Sequence, residues 1–240
     1  MRNIIIILLT GAMLTACQHD DKHLVRAIVI ADNSLCEANP YPVETNIAYN
    51  NIRYDYERDP RAVKPFRVAA ELVQKNSDEL VMMIRNIKKD LIKYADNINL
   101  DKVDTMLNYI TDKDDYSAPH VLLKGENSPL YQLKQHLIDY RKSIIQLLAS
   151  NPIHNLKDST LIPESLSTAD KIIDGQTQSW EEYTFKYLPM AADILTLTAL
   201  QNNVRNTELN MLVYFYGRIE RNSRHYEDSL RKAGIPIIRF

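Results

Sequence analysis

The sequence predicts an all-α protein, an antiparallel helical bundle with one long C-terminal helix, following a cleaved lipoprotein signal peptide. Three observations carry this expectation. The 240-residue chain has only five glycines, too few for the turns of an all-β domain or for a phosphate-cradling loop. Apolar residues recur at threes and fours over 65–97, 129–150 and 190–232, the period of an amphipathic helix. The chain also opens with MRNIIIILLTGAMLTAC, which has the plan of a secretory leader.

That leader carries Arg2, an apolar run from Ile4, and then Leu14-Thr15-Ala16-Cys17. The run is shorter than the roughly 20 apolar residues a membrane span requires. Leu-Thr-Ala-Cys matches the bacterial lipobox, which predicts cleavage before Cys17 and lipid attachment to its thiol. An ordinary signal peptide with an incidental cysteine, or an uncleaved anchor, is the competing reading. The expected organisation is a signal peptide at 1–16, a lipidated tether at 17–24, a helical domain at 25–233 and a short tail at 234–240. The stretch CQHDDK (Cys17–Lys22) resembles the short acidic signals that send Bacteroidota lipoproteins to the cell surface; a solvated tether would use the same residues. A lipid-anchored place in the cell envelope, at the outer membrane, is expected, with its face left open.

The first 16 residues hold one of the 29 basic groups and none of the 31 acidic ones, so the mature chain would sit near −3. Such a charge gives no reason to expect nucleic acid, which asks for a basic face. With Cys17 acylated only Cys36 remains, so no intramolecular disulfide can form. Cys36 is read as a small buried apolar group.

The elements follow in order. His23–Asn39 fits either a short helix or a buried strand, and Pro40 and Pro42 end it. Val43–Asp59 fits a helix with one wet face, closed by Pro60. From Pro65, a first-turn proline, the residues Val68, Leu72, Leu80, Met83, Ile84, Ile87, Leu91 and Tyr94 trace a helix of about 30 residues. A further helix is expected over Asn99–Asp112, capped by Asn99. Ser128-Pro129 should open the next one, with Leu130, Leu133, Leu137, Tyr140, Ile144, Leu147 and Leu148 on its inner face, to about Ser150. Asn151–Gln176 reads as a long connection with room for one turn of helix, and Trp180–Leu188 as a short helix or approach segment. Pro189 starts the last helix, which should run to about Lys232 before Gly234 and Pro236 stop it. At about 1.5 Å per residue it would span about 65 Å, long enough to project or to bend, with Gly217 a weak point.

No catalytic residues, metal site or cofactor are expected. The chain holds no Glu-x-x-His pair for a di-iron bundle, and its six histidines (19, 23, 120, 136, 154 and 225) have no zinc-type spacing. GxGxxG, Walker and GxSxG patterns are absent. The unusual feature lies on the last helix. Its seam reads Met190, Ile194, Leu197, Gln201, Val204, Glu208, Met211 and Phe215, with Arg205 between the two polar members. Gln201, Arg205 and Glu208 are therefore expected to form a partly buried polar network that sets helix register. A solvated ion pair is the competing reading. Leu212, Tyr216 and Ile219 form a stripe that needs cover, from a second chain or from the Val43–Asp59 helix.

The same stretch carries a resemblance. WEEYTFKYLPMAADILTLTALQNNVRNTELNMLVYF (Trp180–Phe215) resembles the N-terminal, first periplasmic domain of the gliding-motility and type IX secretion protein GldM (PorM). The matching residues are Phe185, Pro189, Ala191 and Ala192, then Leu197, Gln201, Asn202, Val204, Arg205, Asn206 and Glu208. SLCEAN (Ser34–Asn39) is similar to an element near the start of that family's first periplasmic helix. The resemblance implies a helical interaction domain, a dimer or a protein partner, and in the family itself a partnership with GldL. It departs from the family where a membrane-spanning helix is replaced by a lipobox, and where the chain stops at GIPIIRF (Gly234–Phe240). Motor function is therefore not carried over. A non-catalytic, lipid-anchored interaction protein is expected; a surface lipoprotein binding a host or nutrient ligand is the alternative.

Overall fold

A computed structural model of the chain describes residues 21–37, 41–96, 111, 113–123, 125, 127–150 and 161–232. Cys17, the expected helix at 99–112 apart from Thr111, and the tail 234–240 lie outside these residues. The described chain is helical almost throughout: α1 (Asp21–Glu37), α2 (Tyr41–Arg58), α3 (Pro60–Asp96), α4 (Ala118–Leu122), α5 (Pro129–Ser150), α6 (Trp180–Phe185) and α7 (Met190–Lys232). A short 3-10 turn (Glu164–Leu166) and a two-stranded hairpin, β1 (Lys171–Ile173) and β2 (Gln176–Gln178), separate α5 from α6.

The ambiguous first segment is a helix, and α1 and α2 follow one another along α7. Both run parallel to it: Asp32 and Leu35 of α1 meet Thr198 and Asn202, and Tyr49 of α2 meets Glu208. The chain then reverses at a single non-helical residue. Asp59 Oδ1 accepts the Ala62 N–H at 3.1 Å, so Asp59 caps α3 and Pro60 takes its first position, where no N–H is needed. The start of α3 therefore lies five residues before Pro65, which stands inside the helix on an exposed turn. The reason is local: an Asp-Pro pair is a stronger start signal than a proline alone.

Helix α3 runs antiparallel to the rest of the bundle. Lys88, Asp78 and Phe66 meet Gln201, Arg205 and Phe215 of α7 in turn, and Asn76 and Ser77 meet Ser143 and Tyr140 of α5. Helix α5 begins as expected, with Ser128 Oγ accepting the Tyr131 N–H at 3.1 Å. It buries Leu130, Leu133, Leu137, Tyr140, Ile144 and Leu148. On α3 the buried face is Phe66, Ala69, Ala70, Val73, Leu80, Val81, Ile84, Ile87, Leu91 and Ile92. Val68, Leu72 and Tyr94, assigned to that face by spacing, are exposed; a 37-residue helix flanked on several sides does not keep one straight stripe.

Helix α7 is the axis of the molecule. Between Met190 and Ile219 only Asn206, Asn210 and Val213 are exposed, because α3, α5 and the α1–α2 pair surround it. It continues through Gly217 without a break. Arg224, Asp228, Arg231 and Lys232 are exposed on its last turns.

The hairpin is a departure from the long irregular connection expected at 151–176. Asp174 and Gly175 have φ of +52° and +77°, the paired positive values of a tight hairpin turn. Asp170 Oδ1 accepts the Trp180 N–H at 2.9 Å and a hydrogen bond from Lys134 Nζ at 2.7 Å. Lys134 also lies 3.0 Å from Glu181. One lysine on α5 thus holds the hairpin and α6 against the bundle.

Candidate functional site

The polar residues on α7 occupy three turns, from Thr198 to Glu208, and every surrounding helix meets them. From α1, Asp32 is 1% exposed, and Thr198 Oγ1 donates to its Oδ1 at 2.6 Å. Asn202 Nδ2 donates to the Leu35 carbonyl at 2.9 Å. From α3, Lys88 is fully buried and its Nζ donates to Gln201 Oε1 over a long 3.4 Å. From α5, Tyr140 Oη donates to the Val204 carbonyl at 3.3 Å. That hydroxyl has one proton, so the 3.0 Å contact with Ser77 Oγ has Ser77 as donor. Burial pushes the Tyr140 phenol well above its ordinary range, and the hydrogen bond from Ser77 opposes this.

Arg205 and Glu208 are the centre of this belt. Glu208 is 0% exposed, and its two oxygens have different partners. Oε2 accepts Arg205 Nη1 at 2.8 Å, and Oε1 lies 3.1 Å from Tyr49 Oη of α2. Tyr49 Oη is also 3.2 Å from the Ala70 carbonyl. The same Arg205 nitrogen donates to Asp78 Oδ1 at 2.7 Å. One guanidinium nitrogen therefore joins a fully buried carboxylate to a carboxylate on the rim, whose side chain is 55% exposed.

Of the three residues singled out by spacing, the structure brings Arg205 and Glu208 together and buries Gln201 to 7% exposure. Gln201 engages Lys88, which is not among the residues expected in the network. Its signal was available: Lys88 stands four residues after Ile84 and three before Leu91, on the apolar seam of α3. Asp32, Asp78, Tyr49 and Tyr140 had no comparable signal, because their partners are distant in sequence. Leu212 and Ile219 are buried within the chain, at 0% and 3% exposure, and Tyr216 is half-buried against the core. Neither buried side chain is therefore free to form an interface. Tyr216 keeps an accessible edge. Cys36 is half-buried rather than buried. His136 is exposed. No group of three or more metal-ligating side chains occurs among the described residues, and no helix among them is long and apolar enough to cross a membrane.

Residues 26–217 match the family described as the GldM N-terminal domain. The chain belongs to that family. The match takes in most of α1, all of α2 to α6 and the belt-bearing part of α7. A search of curated proteins gave no significant match. GldM proteins are cell-envelope components of the gliding and type IX secretion machinery, and in this GldM-family chain the matching residues Gln201, Asn202, Val204, Arg205 and Glu208 fall on the belt. It lies where α1, α2, α3 and α5 converge on α7. Polar groups taken from water into such a junction must be paired, since an unpaired one costs several kcal/mol.

Proposed function

We propose that this chain is a non-catalytic, lipid-anchored outer-membrane protein whose GldM-type helical domain is an interaction module associated with gliding or type IX secretion machinery. The family match over residues 26–217 is the observation that carries this reading. The geometry supports it. Helices α1 and α7 run parallel, so their N-termini lie at one end of the bundle, and α1 begins at Asp21, four residues after Cys17. A lipid on Cys17 would hold that end against the membrane. The last turns of α7, with Arg224, Asp228, Arg231 and Lys232 exposed, would then point away from it toward a protein partner. The belt groups are engaged with one another, which suits a scaffold better than a reactive centre.

Two measurements test this. Labelled fatty acid should enter the parent protein and not Cys17→Ala; incorporation into the variant removes the anchor. Deletion of the gene should impair export of type IX cargo or surface spreading, and Cys17→Ala should not restore it. Unchanged export and spreading in the deletion strain would remove the association with that machinery. Protease treatment of intact cells assigns the face: cleavage means surface display, and protection means the periplasmic side.

A further inference from the structure

One buried charge-bearing group stands apart from the belt. Asp193, in the first turn of α7, is 1% exposed, and neither carboxylate oxygen has a hydrogen-bond partner. The usual partners of such a residue are the free N–H groups of the helix start, and here they are all taken. Met190 and Ala191 donate to the Asp115 and Lys113 carbonyls at 2.8 and 3.0 Å, and Ala192 and Asp193 donate to the Pro189 carbonyl at 2.8 and 3.2 Å. The loop at 113–115 thus occupies the place where a carboxylate would be stabilised.

Among the described residues, the charged groups on the elements around this turn include Arg26 of α1, Lys93 of α3, Lys113, the exposed Asp114 and Asp115 of the loop, His120 of α4 and Lys186 ahead of α7. Arg26, Lys93 and His120 are exposed. The Asp115 carboxylate accepts the Ser117 N–H and hydroxyl at 2.6 and 2.7 Å, and Lys186 donates to Glu182. None of these offsets the loss of water at Asp193, which pushes its carboxyl up to about 9.

We propose that Asp193 is a proton-dependent pin: as the neutral acid it seats the first turn of α7 on the 113–115 loop, and as the carboxylate it drives that turn off the loop. The sign follows from linkage. A carboxyl that keeps its proton in the folded state well above its unfolded value of about 3.9 makes the folded state bind more protons across that interval. Stability is then greatest on the acid side and falls as pH rises toward the folded value. The device works at the end of the bundle where α1 begins, and it does not depend on the proposed anchoring.

The test is the pH dependence of Tm for the parent and for Asp193→Asn, which keeps the shape and cannot ionise. Relative to the variant, the parent should lose roughly 3–5 °C per pH unit between pH 5.5 and 8.5. Amide protection of Met190 and Ala191 should fall over the same range in the parent only. Equal pH profiles for the two proteins overturn the proposal. Should the variant fail to fold, the Asp193 carboxyl carbon can be titrated directly in the parent by NMR. A midpoint above about 7 is expected, and one near the ordinary value of about 4 overturns the proposal.

Discussion

Glu208→Ala separates a buried network from a surface ion pair, and the geometry sets the size of the effect. The substitution removes a charge-assisted bond of 2.8 Å to Arg205 and the contact with Tyr49. A buried pair broken on one side costs roughly 3–5 kcal/mol, mostly because the remaining charge is stranded. Here Arg205, 12% exposed in its side chain, keeps Asp78 at 2.7 Å, and Tyr49 keeps the Ala70 carbonyl. The expected loss is therefore reduced to about 2–3 kcal/mol. For a chain of this size that corresponds to roughly 4–12 °C in Tm.

Asp78 sharpens the experiment. Asp78→Ala alone should cost under about 1 kcal/mol, since its side chain is 55% exposed and Arg205 retains Glu208. In the double variant Arg205 loses both carboxylates, so removing Glu208 should now cost the full 3–5 kcal/mol or so. Denaturant unfolding of the four proteins of the cycle measures this. If Glu208→Ala melts with the parent, or if the two losses simply add, the argument fails. Replacing Arg205 by Met and Glu208 by Leu together should restore stability. Extending this to Gln201→Leu should not, because it removes an acceptor from the buried Lys88.

Four further outcomes follow from single residues. Lys134→Ala removes the tie from α5 to Asp170 and Glu181; amide exchange over 171–185 should rise while the rest of the bundle keeps its protection. Lys134 and the Trp180 N–H hold the Asp170 carboxyl below the usual carboxylate range. Its small contribution is thus present at neutral pH and lost as pH falls below about 4, and the acid limb of a stability profile should flatten in Lys134→Ala. Gly175→Ala places a Cβ at φ +77° with no atom within 4 Å of it, so the cost is backbone strain alone, about 1 kcal/mol, readable as a lower Tm. Ser128→Ala deletes the cap on α5 and should cost about 1 kcal/mol in denaturant unfolding.

The helices were legible because most of them bury one face. On α5 the spacing of Leu130, Leu133, Leu137, Tyr140, Ile144 and Leu148 corresponds directly to burial, and Ser128-Pro129 marks its start. The Asp174-Gly175 turn was equally written in the sequence but was overshadowed by the prolines and weak periodicity around it. The start of α3 was misplaced because Pro60 can close one helix and open the next, and only the Asp59 side chain decides. The belt was half legible. Gln201, Arg205 and Glu208 interrupt an apolar seam and declare themselves, whereas Asp32 and Tyr49 gain their meaning from residues more than 150 positions away. Asp193 could not be read at all, since nothing local tells that the 113–115 loop takes its backbone donors.

A surrounded helix poses a problem that apolar packing does not solve. Apolar contact is non-directional, and a slide of α7 by one turn, about 5.4 Å, would bring similar residues under the same neighbours. The six polar ties between α7 and its neighbours cannot survive that slide, because each requires a particular donor within about 3 Å of a particular acceptor. The ties matter most for α1 and α2, where apolar burial is scarce. Asp32 is the one buried side chain described on α1, and Thr45 and Ile52 are those on α2. Their position along α7 is therefore set by Asp32–Thr198, Asn202–Leu35 and Tyr49–Glu208 more than by hydrophobic contact. That explains why α7 carries polar residues from Thr198 to Glu208 on an otherwise apolar seam: they specify where the N-terminal helices attach.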